Sequence, residues 1–250
     1  TEDGLNKYDG YRFTISRHDP EDPNSLSHTW ILSLLIDRSE IMWIGTFNGG
    51  LSRNDPEREI FTNYVMDPDD PGTLSNDIVR AIYEDRSGAL WIGTDNGLNL
   101  LNRDTGRFYR FFSDHDDQSS LSHNSIRAIY VDRSGVLWIG TEGGGLNRYL
   151  IDEKKFISYQ TTANDPKSLS NNCIRSIYED SSGILWIGTN GGGLNRFDSD
   201  SEKFTSYRHA PDDPGSISHN KVYAVFEDRS GILWIGTNGG GLNIFDRENE

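Results

Sequence analysis

The chain has 250 residues, 34% hydrophobic and 25% charged, a composition typical of a globular protein large enough to bury a core without disulfides. Asp and Glu outnumber Lys and Arg by 39 to 24, and the formal charge of −15 argues against binding of nucleic acid or an anionic membrane, because phosphate groups require a basic surface. Cys173 is the single cysteine, which excludes an intrachain disulfide, and no apolar run reaches the roughly 18–20 residues of a membrane helix.

The N-terminal segment predicts a β-hairpin. GLNKYD (Gly4–Asp9) and YRFTIS (Tyr11–Ser16) are short and bounded by turn residues, which is typical of strands. The Asp9-Gly10 pair between them predicts a two-residue turn. Near the other end of the chain, GLNIFD (Gly241–Asp246) closely resembles the first of these strands.

A ten-residue sequence recurs five times, as MWIGTFNGGL, LWIGTDNGL (one residue shorter), LWIGTEGGGL and, twice, LWIGTNGGGL. This period of about 48 residues is typical of propeller blades. We predict a single domain, 1–250, built from repeats at about 27–74, 75–121, 122–169, 170–217 and 218–250 plus residues 1–26. The tryptophans of the five copies lie 48, 47, 48 and 48 residues apart: Trp43, Trp91, Trp138, Trp186 and Trp234.

Each repeat contains four predicted strands, named A to D in chain order. In the fourth repeat they are Cys173–Asp180, Ile184–Thr189, Gly193–Asp198 and Lys203–Arg208. Short turns join A to B, B to C and C to D, whereas the link from D to the next strand A is longer and rich in Asp and Pro. Four antiparallel strands followed by a longer link predict an all-β fold, a β-propeller of four-stranded antiparallel blades.

The recurring sequence forms the predicted strand B and its turn into strand C, and we interpret it as structural. The five tryptophans are expected to pack between neighbouring blades, and the glycines to permit positive φ or a close approach of backbones. A phosphate-binding loop is disfavoured because no helix follows the glycines and no Gly-Lys-Ser/Thr sequence occurs.

The two ends of the chain predict how the propeller closes. We expect five blades, with the last blade contributing strands A to C and Tyr11–Ser16 of the N-terminus contributing its strand D, because such closure leaves no open sheet edge. Strand-C sequences number six for five strand-B sequences, so a closed ring must displace Gly4–Asp9 or Gly241–Asp246. The alternative is an open set of five blades, cut from a larger propeller or completed by a second chain.

DRSGVLWIGTEGGGLNRY (Asp132–Tyr149), preceded by SLSHNSIRAIYV (Ser120–Val131), closely resembles the repeat of two-component regulator propellers. The resemblance extends over essentially the whole chain. It implies a periplasmic or otherwise extracytoplasmic sensor of a bacterial membrane-bound histidine kinase, in a family that includes hybrid kinases responding to polysaccharide breakdown products. Further propeller or sandwich domains of a longer receptor and a second copy of the chain are the implied protein partners.

Two variable positions of each repeat are predicted to lie on the face formed by the D–A links and B–C turns, where loops on a rigid scaffold commonly bind ligands. One follows the Thr of WIGT and the other lies early in strand A. Trp30, at the start of the first strand A, is a further aromatic candidate. The first position holds Phe47, Asp95, Glu142, Asn190 and Asn238; the second holds Leu32, Arg80, Arg127, Arg175 and Tyr223.

The three arginines of the second position have two interpretations. Like charges on neighbouring strands repel unless something pairs them, so ion pairs with Asp95 and Glu142 would make them structural. Arginine forks also suit the carboxylates of an acidic ligand. We expect the structural contribution to dominate.

Residue types that could serve catalysis or metal binding recur as parts of the repeat. His28, His123 and His219 share one position of the link, which favours hydrogen bonding there over a unique general base. The Asp-rich links, such as Asp67–Ser75, lack the regular alternation of oxygen ligands found in calcium loops, and turn formation is the favoured interpretation. The sequence therefore predicts no catalytic residue, metal or cofactor.

The favoured function is a non-catalytic, ligand-sensing propeller. Its ligand class, an oligosaccharide or another small polar molecule, is implied by the family resemblance. Two alternatives stay open. One is a propeller enzyme, a glycosidase or lyase, in which Asp95 and Glu142 would act as a carboxylate pair. The other is a scaffold for protein–protein interaction, including a homodimer.

Overall fold

The computed structural model describes residues 1–55, 58 and 60–246; the last four residues of the predicted fifth repeat and three residues of the first lie outside this range. The described residues form twenty-one β-strands and no helix, so none of them belongs to a helix that could cross a membrane. Residues Thr1–Phe112 with Asn124–Ile126 form one compact unit, and Ser113–His123 with Arg127–Glu250 form a second. The prediction of a single domain stays a prediction.

The first unit contains ten strands, beginning with a hairpin that precedes the first full repeat. The next eight strands form two antiparallel sheets of four, each in chain order, β3 to β6 and β7 to β10. The strands are β1 (Leu5–Tyr8), β2 (Phe13–Ser16), β3 (Ile31–Ile36), β4 (Met42–Thr46), β5 (Leu51–Asp55), β6 (Ile60–Tyr64), β7 (Val79–Glu84), β8 (Leu90–Thr94), β9 (Gly97–Asn102) and β10 (Arg107–Phe111).

The second unit repeats this arrangement. Its strands form two four-stranded sheets, β11 to β14 and β15 to β18, and one three-stranded sheet, β19 to β21. They are β11 (Ile126–Val131, of which Ile126 belongs to the first unit), β12 (Leu137–Thr141), β13 (Leu146–Leu150), β14 (Lys155–Tyr159), β15 (Ile174–Glu179), β16 (Leu185–Thr189), β17 (Leu194–Asp198), β18 (Lys203–Tyr207), β19 (Val222–Glu227), β20 (Leu233–Thr237) and β21 (Gly241–Phe245). The four predicted strands of the fourth repeat are thereby confirmed.

The N-terminal strands form a sheet of their own. β1 pairs with β2, Leu5 opposite Ser16, while the last sheet ends at β21 with three strands. Closure of the last blade by the N-terminal strand and the count of five blades are therefore not confirmed. The predicted Asp9-Gly10 turn is displaced by one residue. The backbone N–H of Asp9 donates to the carbonyl of Arg12, so Gly10 and Tyr11 form the loop. The Asp9 carboxylate accepts the N–H groups of Tyr11 and Arg12.

Aromatic and aliphatic side chains pack between consecutive sheets. In the second unit, Trp138 and Leu146 of one sheet meet Ile174 and Leu185 of the next, and the same positions, Trp186 and Leu194, meet Val222 and Leu233 one repeat later. In the first unit, Trp43 and Leu51 pack against Val79 and Leu90. Burying these side chains removes apolar surface from water and holds each sheet on its neighbour.

Every tryptophan of the recurring sequence is also tied to the A–B turn of its own repeat. The indole Nε1–H donates to an aspartate six residues earlier, whose other oxygen accepts a backbone N–H of the turn in all five repeats. The indole bonds are Trp43–Asp37, Trp91–Asp85, Trp138–Asp132, Trp186–Asp180 and Trp234–Asp228, at 2.8 to 3.0 Å. A buried indole N–H thus has its partner, which supports the structural interpretation of these residues.

Candidate functional site

The arginine position of strand A coincides with a β-bulge. Pairing between strands A and B slips at Ile31/Ser33, Val79/Ala81, Ile174/Ser176 and Val222/Ala224. The residue skipped in each case is a member of the predicted second position: Leu32, Arg80, Arg175 and Tyr223. A bulge adds an unpaired residue and changes the direction of its side chain. The side chains at this position therefore point differently from those of a regular strand.

Backbone hydrogen bonds bring the other predicted position close to the start of strand A. The residue after the Thr of WIGT donates its N–H to the carbonyl that lies two residues before the bulge residue, as in Asn190 to Cys173 and Asn238 to Lys221. Phe47 donates in the same way to Trp30, and Asp95 to Ile78. Both predicted positions of these repeats therefore lie together at one end of the sheet.

In the first unit, Arg80 and Asp95 form a bidentate ion pair within one repeat. Nε lies 2.7 Å from Oδ1 and Nη2 lies 2.8 Å from Oδ2, and Ser125 also donates its hydroxyl to Oδ1. Paired forks of this kind are stronger and more directional than single contacts. The sequence interpretation of Arg80 as a partner of Asp95 agrees with this geometry.

In the second unit, Glu142 is shared by two arginines. Arg127 Nε lies 2.7 Å from Glu142 Oε2, and Arg175 approaches from the next repeat with Nη1 2.9 Å from Oε2 and Nη2 3.0 Å from Oε1. Two guanidinium groups on one carboxylate leave one positive charge in excess at this place, in a chain whose net charge is −15. The guanidinium carbon of Arg175 lies 5.5 Å from the ring centre of Tyr223, which favours a cation–π contact.

The aromatic candidates of the predicted site are partly exposed. Trp30 and Phe47 pack ring against ring with centroids 4.6 Å apart in the first unit, and Trp30 stays 38% exposed. Tyr223 in the second unit is 45% exposed. Partly exposed aromatic rings next to hydrogen-bonding side chains can bind the apolar face and the hydroxyls of a sugar together.

Cys173 lies at the edge of the Glu142 cluster. Burial raises the pKa of its thiol, and the neighbouring Glu142 carboxylate raises it further. Because the thiolate is the nucleophile, Cys173 stays an unreactive thiol near neutral pH.

The predicted structural roles of the histidines agree with the hydrogen bonds. Nδ1 of His28 and Nδ1 of His219 each accept the N–H two residues later, and the side-chain oxygens of Asn76 and Asn171 do the same in other repeats. The Asp-rich links use their carboxylates in turns, as where Asp70 accepts the N–H of Gly72. Within the described ranges, no group of three or more His, Cys, Asp or Glu side chains is arranged to hold a metal ion.

Two shallow depressions of the second unit lie elsewhere. One, of about 320 Å³, is lined by the D–A link that contains Thr161 and Asp165, together with Arg208 of the following repeat. The other, of about 410 Å³, lies beside an A–B turn at Ser182 and Arg196. Neither is lined by a predicted ligand-binding residue, so the assignment of those residues to ligand binding stays a prediction.

Sequence reasoning missed a buried asparagine that ties the D–A link to its sheet. The side-chain oxygen of Asn147 accepts the N–H of Ser122, and Asn99, Asn195 and Asn243 bind Ser75, Ser170 and Ser218 in the same way. The signal was present in the recurring Leu-Asn of strand C and Leu-Ser or Ile-Ser of the link. These bonds fix the links that carry the candidate residues.

Antiparallel sheets that recur about every 48 residues and pack face to face define a β-propeller repeat protein. The two-component regulator propeller model matches residues 73–96, 120–143, 168–191 and 216–239. These four segments match two-component regulator propeller repeats, which confirms the resemblance seen in the sequence. A comparison with curated proteins finds no match.

Solved structures show the same fold. The chain is similar to the extracellular domain of BT3049 from B. thetaiotaomicron, assigned to a hybrid two-component system, with 25% identity and a TM-score of 0.72 over 98% of this chain and 37% of that chain. It also resembles the extracellular domain of BT4673 from the same organism, assigned to a one-component system, with 23% identity and a TM-score of 0.57 over 99% of this chain and 38% of that chain. The chain thus spans less than two fifths of either relative.

An enzyme shares the fold more distantly. Virginiamycin B lyase from Staphylococcus aureus is 16% identical, with a TM-score of 0.59 over 87% of this chain and 70% of that chain. At this identity the likeness shows the fold alone.

Proposed function

We propose that the chain is a non-catalytic, ligand-sensing propeller segment of an extracellular receptor that belongs to a two-component system. The regulator propeller repeats support this, as does the likeness to the extracellular domain of BT3049. The ligand is a small polar molecule, with an oligosaccharide as the leading class. Its site is the end of the sheets where the bulge residues and the B–C turns meet.

The proposed position of the site is supported by the contacts of Tyr223 and its neighbours. An exposed ring stacks on Arg175, whose guanidinium also binds Glu142, so an aromatic surface lies beside fixed donors and acceptors. Arg127 holds Glu142 from the other side. Such an arrangement needs little reorganisation when it binds a sugar, which lowers the entropic cost of association.

A propeller enzyme is the weaker alternative. A glycosidase needs a carboxylic acid that donates a proton and a second carboxylate as base or nucleophile. Asp95 faces the two donating nitrogens of Arg80, and Glu142 faces two arginines. Both carboxylates are thus engaged in ion pairs, which favours a structural role over a catalytic one.

The experiment is a thermal-shift screen of the purified chain against a panel of neutral and acidic oligosaccharides. A ligand that binds the native state raises the melting temperature. We expect a positive shift that Tyr223→Ala abolishes, whereas Tyr109→Ala, which removes a more exposed ring from strand β10, should preserve it. A panel without any shift, or a shift that survives in Tyr223→Ala and Trp30→Ala, would overturn the proposal.

A further inference from the structure

One D–A link of the second unit contains a buried backbone carbonyl to which no other group of the protein donates. Leu169 is 1% exposed, and over the ranges that the structure describes its carbonyl oxygen accepts no hydrogen bond. A buried carbonyl needs a donor, and when the protein supplies none the donor comes from water or from a ligand. The depression of about 320 Å³ is lined by this same link, with Leu169 among its residues.

In the other four links the equivalent carbonyl accepts a hydrogen bond from a side chain. The ring Nδ1 of His18 donates to Leu26, and that of His209 donates to Ile217, both at 2.9 Å. In the third repeat the hydroxyl of the preceding serine donates to Leu121 at 3.4 Å. The place beside this carbonyl is therefore one that a donor group regularly occupies.

Arg110 of strand β10 shows how a guanidinium group fills this place in the first unit. Its Nη2 donates to the carbonyl of Leu74 at 2.8 Å, and its Nε donates to the carbonyl of Thr73 at 2.7 Å. Nη2 also lies 3.0 Å from the carbonyl oxygen of Asp70 and 2.8 Å from the hydroxyl of Thr73. The acceptors of the link thus match the donors of one guanidinium group.

The link at Leu169 keeps the acceptors of this contact but has no arginine. Strand β18 carries Ser206 at the position of Arg110, and within the described structure this short side chain makes no hydrogen bond to the link. The depression lies there, between Ser206 and the link. The acceptor residues at matching positions of the two links are Asp165, Ser168 and Leu169 in one and Asp70, Thr73 and Leu74 in the other.

One acidic and one basic side chain line the depression. The Asp165 carboxylate accepts the backbone N–H of Lys167, and no basic side chain of the described residues forms an ion pair with it. Arg208 donates from Nη2 to the carbonyl of Ser170 at 3.2 Å. Asp165 is therefore available as a counter-charge, while Arg208 leaves the carbonyl of Leu169 unoccupied.

From these contacts we infer that the depression between the link and strand β18 binds a guanidinium group of another molecule, as in arginine or an arginine-containing peptide. The group donates to the carbonyls of Ser168 and Leu169 and lies beside the Asp165 carboxylate, as Arg110 does in the link of the first unit. None of the predicted ligand-binding residues lines the depression, so this site is separate from the one proposed for a sugar.

Isothermal titration calorimetry of the purified chain tests the site, with Nα-acetyl-arginine methylamide and free arginine as probes. We expect one equivalent to bind, and the tighter of the two probes identifies a peptide or the free amino acid as the source of the group. The uncharged citrulline analogue should bind at least about tenfold more weakly, because it lacks the charged donor. The corresponding lysine analogue, which has the charge but not the planar fork, controls for general attraction to an acidic chain.

A matched pair of variants locates the binding. Ser206→Arg places the side chain of Arg110 in the depression, so it should abolish probe binding and raise the melting temperature. Ser158→Arg, at the equivalent position of strand β14, adds the same charge in another repeat and should leave binding intact. Arg208→Ala removes a like charge from the lining and should strengthen binding.

A further variant reproduces the site in the first unit. Arg110→Ser should open an equivalent depression, so that the chain binds two equivalents of the probe. The comparison of Ser206→Arg with Ser158→Arg does not depend on the folding of this variant. An unmodified chain that binds neither arginine probe would overturn the proposal. So would binding that persists in Ser206→Arg, or a citrulline analogue that binds as tightly as the arginine probes.

Discussion

Arg175 forms its ion pair with Glu142 of the preceding repeat, with 2.9 Å between Nη1 and Oε2. The equivalent turn position of its own repeat is Asn190, which offers no charge. Arg127 reaches the same carboxylate from within its own repeat. Glu142 therefore links two consecutive sheets of the second unit through Arg127 and Arg175.

Replacing Glu142 by Gln should destabilise the second unit by about 1–3 kcal/mol, because two partly buried guanidinium groups lose their common counter-charge. The loss should shrink as salt rises, since counterions screen the remaining repulsion. Urea unfolding at low and high salt measures both effects. Asn238→Ala at the equivalent position of the last repeat is the control and should have little effect. Equal losses in the two variants would contradict the role of the ion pairs.

Trp186→Ala should cost about 3–5 kcal/mol, as for other fully buried aromatic side chains. Trp186 is 0% exposed and also loses its bond to Asp180, leaving a buried carboxylate oxygen without that donor. Trp234→Ala should lower the free energy of unfolding by less. Trp234 makes the equivalent bond to Asp228, but its side chain is partly exposed and buries less apolar surface. Chemical denaturation of the two variants measures the difference. A loss below about 1 kcal/mol for Trp186→Ala would show that this side chain is not part of the core.

Gly188→Val should prevent stable packing of the last two sheets of the second unit. A Cβ at this position would lie 2.8 Å from the backbone carbonyl oxygen of Val222, which cannot move without separating the sheets. Gly236→Val, in an identical stretch of sequence, has no such neighbour among the described residues and should be tolerated. Circular dichroism and thermal unfolding of the two variants check the contrast. Unchanged stability of Gly188→Val would refute the close approach.

Acid should weaken the tryptophan–aspartate contacts. The indole N–H of Trp234 lowers the pKa of Asp228 below 3.8, and the pKa of Asp37 is lowered too, since hydrogen bonds led by that of Trp43 outweigh the opposing effect of burial. Each lowered pKa contributes stability above the ordinary aspartate value. As pH falls below about 4, these aspartates take up protons in the unfolded chain first. Their contribution to stability is lost as the pH falls further, through their lowered pKa in the folded chain.

Urea midpoints measured between pH 7 and pH 2 test this dependence. Trp234→Phe removes the donor to Asp228, so its midpoint should fall less steeply with acid than that of the unmodified chain. Phe226→Leu, which changes an exposed side chain of the same sheet, is the control and should retain the full slope. Identical slopes in all three proteins would exclude the indole bond as the cause.

Most of the fold could be predicted from the sequence. Alternation of apolar and turn residues determines where a strand runs, and a period of about 48 residues repeats that local information five times. Strands β15 to β18 accordingly fall within one residue of their predicted bounds at every end. The N-terminal hairpin was also predicted, but its separation from the last sheet was not, because pairing between distant strands depends on which edges meet.

The candidate site depended more on tertiary structure. Arg80 pairs within its own repeat and Arg175 with the preceding one, although both occupy the same position of the sequence pattern. The β-bulge that re-aims these side chains leaves no mark in residue type, since Leu32, Arg80, Arg175 and Tyr223 share it. Which carboxylate each arginine pairs with depends on distances between side chains of different strands and sheets. The local sequence pattern carries no information about those distances.

The clearest division lies between two identical stretches. LWIGTNGGGL occurs at residues 185–194 and again at 233–242, and the sequence determines the same strand, turn and indole bond in both. Leu194 is nevertheless 1% exposed and Leu242 is 65% exposed. Backbone conformation follows from the local residues, whereas burial follows from what packs against them, and only the tertiary structure shows that Leu194 has a neighbouring sheet over it.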